Sequence, residues 1–208
     1  MLCDCWKILD ATPVANDMST SIPIFPLGTV LFPGGVLPLK IFEQRYLEMT
    51  KICLRDGAPF GVCRIREGLE VGPPAEHDAI GCTAKIEGWD MPHPGLFQLR
   101  TTGERVFRVV ARQVQADGLI QAQVEWLPEI PGEVDQAALG LCRRVLESVV
   151  SRIGAGYFTT PLALDDSRWV SYRLAELLPA STEDKQVLLE ERNDALRLSR
   201  LAGLLHCA

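Results

Sequence analysis

Few residues in this chain have the types and spacing that catalysis needs. A Cys–His enzyme can be assembled on inventory from Cys82 with His77 or His93, both in loop-like stretches. That chemistry needs a thiol, a base within reach and a group that orients the base. The orienting member is not visible in the sequence. Cysteines inside apolar runs such as "KICL", "GVCRI" and "LGLCRRVL" read instead as small hydrophobes. No G-x-S-x-G occurs. A phosphate-binding loop requires glycine followed by lysine, so that backbone N–H groups and the amine hold the phosphates, and the chain has no Gly-Lys dipeptide. Gly154-Ala155-Gly156 is a fragment of a dinucleotide fingerprint, but it follows an expected helix instead of a strand and reads as a connection. Cys3 and Cys5 with His77 or Cys82 lack the paired C-x2-C spacing of structural zinc, and a C-x-C pair is a weak redox motif. The inventory therefore predicts no catalytic residue, no metal and no cofactor.

Other polar residues suit binding or support. Glu43 and Arg45 stand at an expected helix start, where a carboxylate and a guanidinium tie a helix to its neighbours more readily than they hold a ligand. Arg105 in "GERVFRV" is expected to bond backbone carbonyls or a carboxylate in the same supporting way. The stretch "EGWDMPHPG", residues 87 to 95, reads as a loop between strands that displays Trp89, Met91 and His93 beside two prolines. Aromatic and methionine side chains bind adaptable apolar partners, and proline lowers the entropy lost on display. The alternative is that Trp89 folds back over the end of a β-structure.

These residues need elements to position them. The 208-residue chain is 47% hydrophobic and 23% charged with a formal net charge of -6, enough for a substantial core and one or two domains. The acidic balance argues against nucleic acid, whose binders carry basic patches. No apolar run approaches the roughly 18 residues that span a bilayer. "MLCDCWKILD" has neither the basic nor the sustained apolar region of a signal peptide, and the odd count of seven cysteines fits reduced thiols in a cytoplasm. Met18 opens a polar start into the first strand-like segment, so residues 1 to 17 read as an upstream extension that can still order by packing Trp6, Ile8 and Leu9.

Composition changes near "WLPEIPGEVD", residues 126 to 135. Before it, "TVLF" and "VLPLKIF" read as strands around the turn Pro33-Gly34-Gly35. Pro26 and Pro38 cannot donate to a ladder and mark short, edge or bulged strands. "FEQRYLEMTKICLRDG" reads as a helix with Phe42, Tyr46, Met49 and Cys53 on one stripe and Gly57 as its stop. Strands are expected at "PFGVCRI", "IGCTAKIEGW", "LFQLRTTG", "ERVFRVVARQVQ" and "LIQAQVEWL", the last two joined by a hairpin at "ADG". Short strands with one helix suggest a partly closed antiparallel barrel. After the change, Asp135 caps a helix to about Ile153 that buries Leu141, Val145 and Val149. Asp165 or Asp166 caps another, and "STED" opens one long helix or two broken near Asn193 and Asp194.

The ordered motifs add a family. "PIFPLGTVLFPGGVLPLKIFEQRYLEM", Phe60-Gly61, "GCTAKI", the Gly103, Arg105 and Phe107 strand, and "LPASTEDKQVLLE" together resemble the N-terminal domain of the Lon ATP-dependent proteases, over about residues 22 to 205. Gln44 departs from the pattern, since many relatives carry proline there. The resemblance implies an α+β fold: a PUA-like β-rich pseudo-barrel over residues 22 to 132, then an α-helical bundle over 133 to 208, with 1 to 21 as an extension. It implies a bacterial, non-catalytic module that recognises unfolded polypeptide or a protein partner, with Phe32, Phe42, Tyr46, Trp89, Met91 and His93 as candidate contacts. A separate protease or ATPase would receive the clients. A small-ligand or RNA-binding PUA-like module remains the alternative reading of the same barrel.

Overall fold

A computed structural model describes residues 20–206. The expectations for residues 1 to 17, for Met18 and for Cys207 lie outside the described residues.

The first strand is β1 (Thr20–Leu27), buried along "IPIFPL" because it lies in the middle of the sheet. It pairs in parallel with β3 (Phe60–Glu67) and antiparallel with β6 (Ile120–Trp126). Its pairing with β6 ends at Ile24, so Pro26 falls where β1 has a ladder on one side only. β2 (Val36–Ile41), β4 (Glu76–His93) and β5 (Leu96–Val114) complete a sheet of order β2-β5-β4-β3-β1-β6, which a β5–β6 pairing closes. Closure is possible because β5 runs unbroken for 19 residues and bends. Register shifts at Cys82/Ala84, Ile86/Gly88 and Val109/Ala111 turn the long strands, so that one half of β5 serves β2 and the other serves β6.

Three expectations need correction here. "TVLF" is not a strand: residues 28 to 35 cross the molecule irregularly, with Val30, Leu31 and Phe32 all buried. Their apolar run serves two cores instead of a pleated face. "LFQLRTTG" and "ERVFRVVARQVQ" are one strand, since Gly103 permits a close approach without ending the ladder. The "EGWDMPHPG" loop is mostly ladder: β4 continues to His93, and only Pro94 and Gly95 form the turn into β5.

The first helix, α1 (Gln44–Asp56), starts after Phe42, so its buried stripe is Tyr46, Met49, Thr50 and Cys53 without that phenylalanine. Gly57 stops it in the left-handed region, φ 63°. α2 (Gln136–Ile153) is capped by Asp135, which accepts from the Ala137 N–H at 2.8 Å. Its buried residues are Ala138, Cys142 and Leu146, one position round from the expected Leu141, Val145 and Val149, which are half-buried. α3 (Ser167–Leu177) is capped by Asp166. α4 (Thr182–Glu190) and α5 (Asp194–His206) are separate, with the break at residues 191 to 193. Among the described residues no helix is long and apolar enough to cross a membrane.

The barrel core gathers Phe25, Ile41, Met49, Phe60 and Leu99. The helices build a second core around Leu146, Leu174 and Leu201, and the barrel contributes Phe32 and Val106 to it. Phe32 lies 5.9 Å from the Tyr172 ring on α3. The segment from 127 to 135 is held by charge: Glu129 bonds Arg192 at 2.8 Å and Arg197 at 3.0 Å, and accepts from the Tyr172 hydroxyl. The barrel and helices are therefore fastened by a shared apolar core and one buried ionic cluster.

Candidate functional site

The expected contact residues divide by burial. Phe32 is fully buried and cannot meet a partner; it belongs to the helical core. Tyr46 is buried as well, with its ring 4.2 Å from Phe25. Trp89, Met91 and His93 are exposed on the β4–β5 hairpin, Trp89 at 57% of its surface. Phe42 is 58% exposed just after β2. A rigid frame sets Trp89: its backbone pairs with Leu99, and its ring stands edge-on to Phe97 at 5.6 Å.

The edge strand β2 lies beside this hairpin. Leu39 on β2, Leu99 on β5 and Trp89 on β4 stand opposite one another in register. Two hollows meet at Pro38, Leu39 and Lys40. One, of about 570 Å3, extends over Gly88, Asp90 and Arg100. The other, of about 300 Å3, extends toward Phe42, Val71 and the inner residues Phe25 and Leu27. Lys40 and Arg100 are exposed and have no ion-pair partner among the described residues. Apolar surface, an unpaired strand edge and two free cations thus share one end of the barrel.

Residues 21–206 match the family described as the ATP-dependent protease La (LON) substrate-binding domain. The chain belongs to that family.

Lon protease 2 of Myxococcus xanthus is 29% identical over 199 residues, covering 92% of this chain and 24% of that protein. Protein cereblon of Xenopus tropicalis is 28% identical over 118 residues, 55% of this chain and 25% of that protein. The chain therefore spans about a quarter of the length of these curated relatives. The Lon N-terminal domain protein from Xanthomonas campestris superposes with a TM-score of 0.73 at 37% identity, covering 88% of this chain and 98% of that one. The N-terminal domain of Mycobacterium avium complex Lon protease superposes with a TM-score of 0.63 at 18% identity, and shares the fold.

The Lon-family motif residues sit mostly at junctions. Gly34, at φ 74°, donates its N–H to the Gly103 carbonyl at 2.7 Å, and the Gly103 N–H returns to Gly35 at 2.9 Å. Arg45 is buried; it bonds Glu43 at 3.0 Å, the Gly72 carbonyl at 2.6 Å and the Gly118 carbonyl at 3.3 Å. It thereby clasps two loops to the start of α1. Phe107 is fully buried in the barrel lumen beside Ile24 and Ile120. Arg105 departs from expectation: its guanidinium lies over the Trp126 ring at 3.9 Å and, among the described residues, bonds no carbonyl or carboxylate. Stacking on an indole replaces the ion pair because β6 presents Trp126 to that position.

The Cys–His inventory is not brought together. The Cys82 thiol is fully buried, bonds the Thr83 carbonyl at 3.5 Å, and is pushed up to about 12 by desolvation. His77 bonds the Asp78 carbonyl through Nδ1, while His93 is on the exposed hairpin. Among the described residues no group of three or more His, Cys, Asp or Glu could hold a metal ion.

Sequence reasoning missed Leu39, Lys40 and Arg100. Pro38 was the available signal, since proline marks an edge strand and so points to its neighbours. It also missed the Glu129 cluster, whose partners lie more than forty positions away and leave no local pattern.

Proposed function

We propose that this chain recognises extended segments of unfolded polypeptide at the barrel end formed by β2 and the β4–β5 hairpin, and performs no chemistry of its own. The observation that carries this reading is Trp89, held by paired strands yet exposed over more than half its surface. Folding leaves large aromatics exposed on rigid ladders at little benefit to stability, whereas interfaces draw their binding energy from such residues. Met91 beside it adds an adaptable surface that tolerates varied clients. The family description as a substrate-binding domain, and the Lon proteases among its relatives, support a client delivered to an ATP-dependent protease. The contacts are Trp89, Met91, His93, Phe42 and Leu39; Phe32 and Tyr46 are buried and take no part.

Fluorescence anisotropy of labelled unfolded polypeptides, with folded forms of the same polypeptides as controls, tests the reading. Saturable binding of the unfolded forms alone is the expected result. Equal binding of both forms, or of neither, would overturn it.

A further inference from the structure

The open edge of β2 has a defined hydrogen-bonding pattern. The Leu37 carbonyl accepts from the Thr101 hydroxyl on β5 at 2.8 Å, so it faces β5. Backbone groups of an extended strand alternate sides, so those of Leu39 and Ile41 face β5 as well. Those of Val36, Pro38 and Lys40 face away, where β2 has no neighbour in the sheet among the described residues. The free edge therefore presents three carbonyls but only two N–H groups, from Val36 and Lys40. Pro38 takes the outward position, where it breaks no existing ladder bond.

Side chains alternate across the faces in the same way. Leu37 and Leu39, both half-buried, share the face of the buried Ile41; Pro38 and Lys40 stand on the other, in register with Arg100 and Gln98. We propose that an extended polypeptide segment with alternating apolar and acidic side chains adds as a strand to the open edge of β2. Its apolar side chains lie against Leu37 and Leu39, and its acidic ones face Lys40 and Arg100. This rests on the polypeptide-binding reading and gives it a geometry and a charge preference. A whole-chain charge of -6 makes acidic segments poor partners elsewhere on the surface, which leaves the unpaired Lys40 and Arg100 as the local attraction. A second copy of β2 fits less well. Centred on Pro38, two such edges would set each Pro38 carbonyl against the ring nitrogen of the other Pro38, which has no N–H to donate.

The probe is a fluorescein-labelled peptide of about eight residues, a common strand length, with alternating valine and glutamate. A valine–lysine peptide is its counterpart. Amide exchange followed by NMR at saturating valine–glutamate peptide gives the decisive readout. Exchange at Val36 and Lys40 should slow by about tenfold or more, while Leu37, Leu39 and Ile41, already bonded to β5, change little. The double variant Lys40→Glu with Arg100→Glu, both at exposed positions, should reverse the preference between the two peptides. N-methylation of alternate peptide amides in the bonding register should remove binding, and the opposite set should not.

Peptide binding without protection at Val36 and Lys40 would overturn strand addition and leave the polypeptide-binding reading intact. Failure of unfolded polypeptides and both peptides to bind would overturn both. Protection that grows with protein concentration in the absence of peptide would assign the edge to a second copy and overturn the proposal.

Discussion

Gly34 and Gly103 stand 69 positions apart and bond through their backbones, the Gly34 N–H meeting the Gly103 carbonyl at 2.7 Å. This contact docks the Pro33-Gly34-Gly35 turn onto the middle of β5. A Cβ on Gly103 would fall 2.2 Å from the Phe32 carbonyl oxygen, which is backbone and cannot swing aside. Gly103→Ala should therefore destabilise the protein by about 2–3 kcal/mol, through overpacking and loss of the docked turn. Gly88→Ala is the control, because a Cβ there meets nothing within 4 Å. Urea unfolding of the two variants should show a lowered midpoint for the first and an almost unchanged one for the second.

The features legible in the sequence are those with local signals. Asp135, Asp166 and Ser181 cap their helices because each carboxylate or hydroxyl reaches an N–H two or three residues on. The "ADG" hairpin closes with the Gly118 N–H on Gln115 for the same reason. What could not be read is set by distant partners. Residues 29 to 32 have a strand's composition, but the dock onto Gly103 and the core around Tyr172 draw them out of the sheet. Phe32 looked like a contact residue because its burial depends on α3, some 140 positions later. Trp89 and Met91 stood out by type and stayed exposed, while their neighbour Lys40 gained meaning only from strand order.

Glu129 is the shared counter-charge of two guanidinium groups that folding has removed from water. Arg197 is fully buried and Arg192 nearly so, and Glu129 keeps only 18% of its side-chain surface. Glu129→Gln leaves both cations without a counter-charge and should lower stability by about 2–3 kcal/mol. Glu48→Gln, which breaks the exposed pair with Lys51, should change stability by less than about 0.5 kcal/mol. Parallel chemical denaturation of both variants checks the contrast. Equal effects would mean the buried cluster contributes no more than a surface pair.

His77 makes stability depend on pH in one direction. Burial holds its imidazole below the ordinary value of 6.5, with Arg112 adding to the depression and the Asp78 carbonyl, Glu76 and Asp78 opposing it. The folded protein thus keeps His77 neutral over a range where the unfolded chain takes up a proton. Stability contributed by this group is complete above about 6.5 and declines as pH falls through that value toward the lower folded one. His77→Phe should remove this part of the slope. Thermal midpoints between pH 7.5 and 5.5 should fall more steeply for the original protein than for the variant. Parallel slopes would show that His77 titrates alike in both states.

Trp89 and Phe32 separate recognition from folding most directly. Trp89 stands edge-on to Phe97 and keeps 57% of its surface exposed, so Trp89→Ala should cost the fold about 1 kcal/mol or less. Loss of an exposed aromatic anchor should weaken unfolded-polypeptide binding by about tenfold. Phe32 has no exposed surface and packs against Tyr172, so Phe32→Ala should remove about 3–5 kcal/mol through a cavity between barrel and helices. Any affinity it loses should track the unfolded fraction and recover under conditions that restore the fold. Circular dichroism melts alongside anisotropy titrations distinguish the two. If Trp89→Ala binds as tightly as the original protein, Trp89 is not a recognition residue and the reading that rests on its exposure falls.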